Sequence, residues 1–425
     1  MSKVRRRLGL LAEPEFRRFY TSTVASQFGL RVAFLAIPLV AILTLDVDAF
    51  EVGLLTAAST AAHLLLGLPA GAWLDRTRRR TVLVNAFLAQ AGILATVPAA
   101  YFAGVLTIWQ LYAVALLSGT CGLFQDVSQQ SYLPGLIGRE QLVEANAKLQ
   151  GVRAVARLAG PGLAGQLVQI LTAPVALLAT VFSQLLAALS ISGIRHAEVM
   201  PTRPAGSSLR REVAEGLRFV LGHRLLRPIA ACNATFNFAW AANGAMLIVF
   251  LARDLRLAEG LIGVFFMFAG AGSLLGAMTG RRVVSALGPG AAIWLVPAVS
   301  APFLLLVPLA QRGPMLWVGA AGYFFVSVGQ VIYNVTQVSL RQRLTPERLL
   351  GRMSATMRFL VWGTMPIGGL AGGVLGQWLG ARPALWITGG IAALASVPLI
   401  LSPLRGMREL PSAPEGDGTP VAAAP

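Results

Sequence analysis

Charged side chains, cysteines and histidines are all scarce in this sequence, and each shortage excludes a class of protein. Only 12% of its 425 residues are Asp, Glu, Lys or Arg, against about 25% in soluble proteins. The two cysteines, Cys121 and Cys232, lie in apolar stretches and are expected to be small buried side chains, not a disulfide or metal pair. Without His-Glu-x-x-His, Gly-x-Ser-x-Gly or Gly-x4-Gly-Lys-[Ser/Thr], we expect no enzyme, no ATP-driven pump, no cofactor and no metal.

Long uncharged runs take the place of the missing charges. Hydrophobic residues make up 56% of the chain, and its mean hydropathy is +0.68. Because a helix rises 1.5 Å per residue, about 20 apolar residues cross a bilayer core of about 30 Å. Runs without Asp, Glu, Lys or Arg that meet this length include 52–74, 158–194, 228–252, 260–280, 283–311, 313–340, 359–381 and 383–404.

The sequence therefore predicts an all-α membrane protein of twelve transmembrane helices in two six-helix bundles. The predicted helices are 17–45, 52–74, 81–104, 108–132, 142–170, 174–194, 226–252, 258–280, 284–310, 314–340, 353–379 and 383–404. The predicted organisation is a cytoplasmic N-terminus at 1–16, a bundle at 17–194, a cytoplasmic connector at 195–225, a bundle at 226–404 and a disordered cytoplasmic tail at 405–425. No cleavable secretory signal is expected.

The net charge of +17 comes from arginines in short loops. These arginines concentrate in alternate loops, such as 76–80 and 195–224, whereas the first intervening loop carries Asp46, Asp48 and Glu51. By the positive-inside rule, both termini are expected in the cytoplasm. The same distribution argues against a nucleic-acid partner. The excess of Arg over Lys suggests a GC-rich bacterial genome, and we expect the protein in the bacterial plasma (inner) membrane.

The two halves of the sequence resemble each other. Gly67-x3-Gly71-x3-Asp75-Arg76 matches Gly272-x3-Gly276-x3-Gly280-Arg281, 205 positions later. Leu136, Leu142, Ala147, Gly160 and Gly165 match residues 208 positions later. Nearly equal offsets predict a parallel repeat of six spans, an architecture of secondary transporters with a substrate site between the halves. Glycine-rich helices that align by composition alone are the alternative.

A glycine-acid-arginine motif follows the second predicted span. It runs Gly71-Ala-Trp-Leu-Asp75-Arg76-Thr-Arg78-Arg79-Arg80 and resembles the signature of the major facilitator superfamily, with Trp73 in place of Leu and Arg78 in place of the second Gly. The resemblance implies two six-helix bundles, alternating access and a cytoplasmic gate at this loop. The gate residues that it implies are Gly67, Gly71, Asp75, Arg76, Arg79 and Arg80.

The fifth predicted span carries a second motif, Gly160-Pro161-Gly162-Leu-Ala-Gly165. With Pro134, Glu140 and Ala145-Asn146, it is similar to the enterobactin-exporter and macrolide-efflux branch of the superfamily. It also resembles the span-five motif of drug–proton antiporters. Proline bends the helix and glycines permit close packing, so Gly160, Pro161 and Gly165 either serve export or serve packing alone.

Charged and titratable residues inside the spans are candidates for proton or substrate coupling, since an intramembrane charge usually faces a cavity or a partner. Asp126 and His63 can carry a proton. A structural ion pair of Asp126 with Arg153 or Arg157, and simple packing of His63, remain open. The candidates are His63, Asp126, Arg31, Arg153, Arg157 and Arg358.

Three polar residues are candidates for the cavity wall: Gln27, Asn233 and Asn237. Hydrogen bonds between helices are the alternative for the two asparagines. From the resemblance we expect a monomeric exporter of a small amphipathic molecule, such as a drug, macrolide or siderophore, in exchange for protons. An uptake or lipid-moving carrier and a non-transporting receptor or scaffold are the alternatives.

Overall fold

The computed structural model describes residues 9–74, 77–195, 209–346 and 349–407, and these residues form helices without a strand. Spans 1 to 6 are Pro14–Leu39 with a π-helical end at Val40–Thr44, Ala49–Leu74, Arg79–Phe102, Ile108–Leu136, Leu142–Leu171 and Ala173–Ser192. A connector helix, Leu209–Gly222, follows. Spans 7 to 12 are Leu226–Val249 with a π-helical end at Phe250–Asp254, Glu259–Leu287, Pro289–Ser300 with a 3₁₀ end at Ala301–Leu309, Leu316–Leu344, Leu350–Trp362 with Thr364–Leu379, and Ala381–Leu394 with Val397–Ile400.

Twelve of these helices have the length of a membrane span. Ten are also apolar enough by composition. The other two, spans 4 and 5, are 29 and 30 residues long but carry more polar side chains, including Asp126, Arg153 and Arg157. The prediction of an all-α protein with twelve spans is confirmed, and the charged residues identify spans 4 and 5 as helices that face something other than lipid.

Spans 1 to 6 pack mainly on one another, and so do spans 7 to 12. Span 1 packs on spans 5 and 6, while span 7 packs on spans 11 and 12. The halves meet through two pairs of antiparallel helices, span 2 with span 11 and span 5 with span 8. In a repeat of six, spans 8 and 11 are the counterparts of spans 2 and 5, so the two contacts are equivalent.

The backbone repeats the same irregularities in each half. Positive φ angles occur at Asp46 and, 210 positions later, at Arg256, and at Thr172 and, 208 positions later, at Gly380. Span 1 and span 7 end in the same way, since Val47 N–H donates to Ala41 and Leu257 N–H to Leu251 across their π-helical turns. These features do not follow from glycine content, because three of the four positions are not glycine. The predicted internal repeat is confirmed.

The apolar core is shared at one end of the molecule and divided at the other. We call the end at which span 1 begins the near face and the opposite end the far face. Towards the far face one continuous cluster contains residues of both halves, among them Leu35, Leu94, Leu247 and Phe265. Towards the near face the N-terminal and C-terminal halves have separate clusters, around Phe87 and around Ile293. The molecule is therefore closed at its far face and divided at its near face.

Candidate functional site

Five charged residues lie between the halves, well inside the membrane-spanning helices. We call Arg31, Arg153, Arg157 and Arg358 the arginine cluster; Arg31, Arg153 and Arg358 lie near Asp126, and Arg157 lies near Arg31 and Arg153. Counted at 1.5 Å per residue from the near-face ends of their helices, these five positions lie about 12 to 26 Å deep. Sequence reasoning identified each residue, and the structure brings them together from spans 1, 4, 5 and 11.

The charges of this group act on one another. Arg153, Arg358 and Arg31 all lie near enough to stabilise the Asp126 carboxylate, while Arg31 is repelled by Arg157. Among the described residues, no ion pair within 4.0 Å joins Asp126 to an arginine. Four positive charges thus share one carboxylate without a fixed pairing, and the site keeps three uncompensated positive charges.

Gly160 creates the space for Arg31. A methyl group at Gly160 would lie 2.6 Å from both Cβ and Cγ of Arg31, so the arginine stem crosses span 5 where that helix has no side chain. The Nε atom of Arg31 is buried and has no hydrogen-bond partner. A buried guanidinium N–H without a partner is costly, so this atom is available to a ligand.

Two members of the arginine cluster are accessible to solvent despite their depth in the protein. Arg157 and Arg358 have exposed side chains, although Arg157 is largely surrounded by protein atoms. Surrounding protein combined with solvent access is typical of the wall of an internal cavity. The division of the core at the near face provides the opening.

His63 lies on the seam between spans 2 and 11. Its ring meets the Trp362 ring edge-on, with 4.8 Å between centroids. The guanidinium of Arg358 lies 6.0 Å from the same Trp362 ring. His63 therefore packs across the interface and sits beside the arginine cluster, so both sequence interpretations of this residue remain possible.

The candidate polar residues take different positions. Asn233 is buried and donates to the Ile229 carbonyl at 2.9 Å and to the Tyr333 hydroxyl at 3.3 Å. Asn237 donates to the Asn233 carbonyl at 2.9 Å. Asn233 thus forms a hydrogen bond between helices of the C-terminal half, which was the alternative to a place in the cavity wall. Gln27 is buried in span 1.

Spans 5 and 8 meet backbone to backbone at the second motif. A methyl group at Gly263 would lie 2.4 Å from the Pro161 carbonyl oxygen and 3.0 Å from Gly165 Cα. Nearer the far face, the Gly260 N–H donates to the Gln169 side chain at 3.1 Å. Of the motif, Gly160 therefore faces Arg31, whereas Pro161 and Gly165 form the contact between the halves.

Spans 2 and 11 form the equivalent seam, which sequence reasoning missed. A methyl group at Gly53 would lie 2.5 Å from Gly373 Cα and 2.7 Å from the Gly369 carbonyl oxygen. The run Gly368-Gly369-x2-Gly372-Gly373-x2-Gly376 was the available signal, because small residues four apart permit close helix approach. At the far face, the Arg253 guanidinium also contacts the Asp46 carboxylate across the halves, at 2.5 Å.

The loop after span 2 is only partly described. Asp75 and Arg76, and the surroundings of Gly71, lie outside the described residues, so the predicted gate is not tested there. A methyl group at Gly67 would meet no neighbour within 4 Å. Arg79 donates to the Ser131 carbonyl at 3.0 Å, and Arg80 donates to the Ile191 carbonyl at 3.3 Å. These carbonyls lie towards the C-terminal ends of spans 4 and 6, where the helix dipole favours a positive charge.

Among the described residues, no three His, Cys, Asp or Glu side chains are grouped as metal ligands. The chemistry that this site offers is therefore charge: guanidinium groups, one carboxylate and one imidazole beside an opening. Such groups bind, orient and exchange ions and protons without forming covalent bonds.

Comparison with known proteins gives matches over most of the chain. Residues 19–365 match the Major Facilitator Superfamily. The enterobactin exporter EntS of Citrobacter koseri is 26% identical over 96% of both chains. A bacterial homologue of the iron transporter ferroportin in an inward-facing state is 17% identical, with a TM-score of 0.71 over 94% of this chain and 99% of that one. An outward-facing structure of a bacterial ferroportin homologue gives 0.61, at 16% identity over 91% and 98%.

Proposed function

Since this chain belongs to the Major Facilitator Superfamily, we propose that it is a secondary active transporter that exports small amphipathic molecules from the cytoplasm of a bacterium. Its fold and its relatives are those of multi-pass membrane transporters and not of enzymes. We further propose that the near face is cytoplasmic, that the protein acts as a monomer in the inner membrane, and that the proton-motive force drives the cycle, with exchange for protons as the expected coupling.

The observation that carries the proposal is the pair of equivalent glycine seams on either side of the arginine cluster. Each seam joins one helix of each half by backbone contact at its glycines, with added side-chain contacts such as His63 with Trp362 and Gln169 with Gly260. Such seams can separate without dismantling either bundle, because each half keeps its own near-face core. Opening the seams and closing the near face would expose the same charged site to the opposite side, which is alternating access.

Two points agree with an inward-open state, in which an exporter takes up its substrate, while the export direction itself is proposed from the relatedness to the enterobactin exporter EntS. The described conformation is divided at the face that we propose to be cytoplasmic, which would admit a substrate from inside the cell. Its higher TM-score to the inward-facing ferroportin homologue than to an outward-facing one agrees with that orientation. The relatedness to the enterobactin exporter EntS makes a siderophore a reasonable first substrate to test.

The proposal is tested with purified protein in lipid vesicles. Enterobactin, a macrolide such as erythromycin and the dye ethidium are supplied separately, under an imposed pH gradient or an imposed electrical potential. We expect at least one compound to move in the direction that corresponds to export, and to stop when the gradients are collapsed. Transport only in the opposite direction would assign uptake, and no transport of any compound in either direction would favour a receptor or scaffold.

The coupling step is tested in the same vesicles with Asp126→Asn and with His63→Gln. A residue that carries the exchanged proton is required for transport under a pH gradient but not for exchange of substrate between the two sides without a gradient. Loss of the first activity with retention of the second would assign the proton. If both variants keep full gradient-driven transport, neither residue carries it.

A further inference from the structure

The charge balance of the central site points to a class of substrate. The site holds four arginines against one aspartate, and His63 adds a positive charge whenever it binds a proton. Positive charges inside a membrane protein are costly unless an anion compensates for them. We propose that this site binds the negatively charged group of an amphipathic anion, such as a carboxylate, a sulfonate or an ionised catechol.

The proposal depends on the arrangement of the arginines as well as on their number. Arg31 of span 1 and Arg157 of span 5 repel each other, and so do Arg157 and Arg153, which lie one turn apart on span 5. An anion placed among them relieves both repulsions and accepts several charge-assisted hydrogen bonds. Asp126 alone cannot do so, because among the described residues its carboxylate forms no ion pair within 4.0 Å with any of them.

The site also has unused hydrogen-bonding capacity and an open approach. The buried Nε of Arg31 has no partner, and Gly160 fixes the stem that carries it. The side chains of Arg157 and Arg358 are exposed, and the apolar core is divided at the near face. A guanidinium fork suits the two oxygens of a carboxylate in a way that a lysine does not.

The walls beside the cluster are suited to the apolar part of the same molecule. Trp362 lies within 6.0 Å of the Arg358 guanidinium and reaches His63 from the opposite helix. Leu64 of span 2 packs close to Gly363, next to that tryptophan. An aromatic or aliphatic body could therefore lie on this seam while its charged group reaches the arginines.

The charge balance has a consequence for coupling. A proton on Asp126 or on His63 makes the site more positive, so by linkage a proton and an anion favour each other's binding. For an anionic substrate, exchange for a proton at Asp126 or His63 is therefore disfavoured, so for this substrate class the inference replaces the proton exchange proposed above. The electrical potential, which drives anions towards the positive outside, is the expected driving force for such a substrate. The conclusion about the driving force depends on the proposed direction of export. The proposal of an anion site does not depend on it.

The test uses three probes that share one apolar body and differ in charge: dansylglycine, dansylglycinamide and dansylamidoethyl-trimethylammonium. Binding to the purified protein in phosphatidylcholine nanodiscs is measured by fluorescence anisotropy at constant ionic strength. We expect the anion to bind about tenfold more tightly than the neutral amide, as hydrogen bonds to charged groups allow. Equal affinity for the anion and the amide, or a preference for the cation, overturns the proposal.

Variants separate charge recognition from structure. Arg31→Gln and Arg157→Gln should each weaken dansylglycine binding about tenfold and leave dansylglycinamide unchanged, while Arg31→Lys restores part of the preference. Asp126→Asn should strengthen anion binding about threefold, because it removes a competing negative charge. Arg282→Gln, an exposed arginine on span 8 outside the site, is the matched control. Weaker anion binding by Asp126→Asn, or equal losses for all three probes, assigns the arginines a structural role instead.

Transport of the same probes keeps this inference distinct from the proposed function. If vesicles export the amide or the cation but ignore the anion, export stands and the anion site is wrong. If the anion binds selectively and no probe is moved under either gradient, the site stands and the transporter proposal is wrong. Where an arginine variant fails to fold, the preference of the wild-type protein in nanodiscs among the three probes still tests the anion site.

Discussion

The N-terminal and C-terminal halves share a backbone but not a chemistry. Their turns repeat at offsets of 208 to 210 residues, with the same positive φ angles and the same π-helical ends. Yet the counterparts of Arg31, Arg153 and Arg157 at those offsets are Ala241, Val361 and Met365. Most of the buried charge is therefore in one half.

The difference separates two tasks. Equivalent backbones give two equivalent seams, which is what a rocking motion about a central axis requires. Unequal side chains give the N-terminal half most of the charge within the spans. In the proposed function, the symmetry of the fold supplies the movement and its asymmetry supplies the substrate site.

The seams should give the largest effect. Gly53→Val and Gly263→Val each place a side chain against the backbone of the opposite half, at 2.4 to 2.5 Å before relaxation. Overpacking of about 1–3 kcal/mol would shift the equilibrium away from the closed far face by roughly tenfold or more. We expect transport in vesicles to fall at least tenfold with either variant.

The two seam variants also test the symmetry itself. Gly92→Val and Gly390→Val are matched controls, because no atom lies within 4 Å of a side chain added at either position. If the seams are equivalent, Gly53→Val and Gly263→Val impair transport to a similar degree. A large loss with one and none with the other would contradict a motion that uses both seams.

Gly160 and its repeat counterpart Gly368 should give the second largest effect. A methyl group at Gly368 would lie 2.2 Å from the Phe238 carbonyl oxygen, so two backbones must separate. At Gly160 the same methyl group meets only the Arg31 side chain. We expect Gly368→Ala to lower the free energy of unfolding by about 1–3 kcal/mol and Gly160→Ala by less.

Ligand binding should show the opposite order. Gly160→Ala displaces the Arg31 stem and should reduce the preference for dansylglycine over dansylglycinamide, whereas Gly368→Ala should leave it intact. Thermal unfolding and anisotropy measured on the same samples check both expectations. If Gly160→Ala and Gly368→Ala lose stability and selectivity to the same extent, Gly160 does not differ from Gly368 by making room for Arg31.

Features that neighbouring residues determine could be predicted from the sequence. Features that depend on contacts between distant segments could not. The spans were predictable because uncharged runs are local, and the repeat because it leaves equal offsets. The members of the arginine cluster were recognisable one by one, since any charge inside an apolar run is conspicuous. Their meeting was not predictable, because it depends on which face of each helix turns inward.

The contacts across the seams were harder to predict for the same reason. In span 2 the next glycine after Gly53 is Gly67, 14 residues later, and only the opposition of Gly53 to Gly373 and Gly369 gives it a role. The pairing of Asp46 with Arg253 joins loops 207 residues apart. Conversely, the arginines after span 2 stood out in the sequence, and the structure shows that Arg79 and Arg80 also bind the ends of spans 4 and 6 within their own half.

The far-face pair of Asp46 and Arg253 should give a smaller effect. This ion pair joins the two halves of the molecule. Asp46 is the repeat counterpart of Arg256, so the two halves carry opposite charges at this equivalent position. Asp46 is largely exposed to solvent, so the pair is screened and should stabilise the closed far face only slightly. We expect Asp46→Asn to change the transport rate less than about threefold.

Salt distinguishes this pair from the seams. The effect of Asp46→Asn should disappear at about 1 M salt, whereas the loss caused by Gly53→Val should persist, because packing is not screened. The exchanged double variant Asp46→Arg with Arg253→Asp should restore the wild-type rate at low salt. A loss with Asp46→Asn that exceeds tenfold and ignores salt would make the pair, and not the seams, the main closure of the far face.

The smallest effect is expected where the first span of each half begins. His223 precedes span 7 and accepts hydrogen bonds through Nδ1 from the N–H groups of Leu225 and Leu226, at 3.1 and 3.4 Å. Its counterpart 210 positions earlier, Glu13, instead accepts from Gln141 at 3.1 Å. Burial lowers the pKa of His223 below its ordinary value of 6.5. The folded protein therefore binds this proton less readily than the unfolded chain does.

Stability should consequently rise with pH through this region, and the contribution of His223 should be lost as the pH falls below about 6.5. Protonation also removes the Nδ1 acceptor that satisfies the start of span 7. We expect a small decrease in apparent Tm of the wild type between pH 7.5 and 5.5 that is absent in His223→Asn, since asparagine accepts the same bonds without titrating in that range. A variant that removes the Glu13 contact, Glu13→Ala, should leave the decrease in place. An equal decrease in all three proteins would show that the start of span 7 does not respond to protonation of His223, and that the two halves begin alike in this respect.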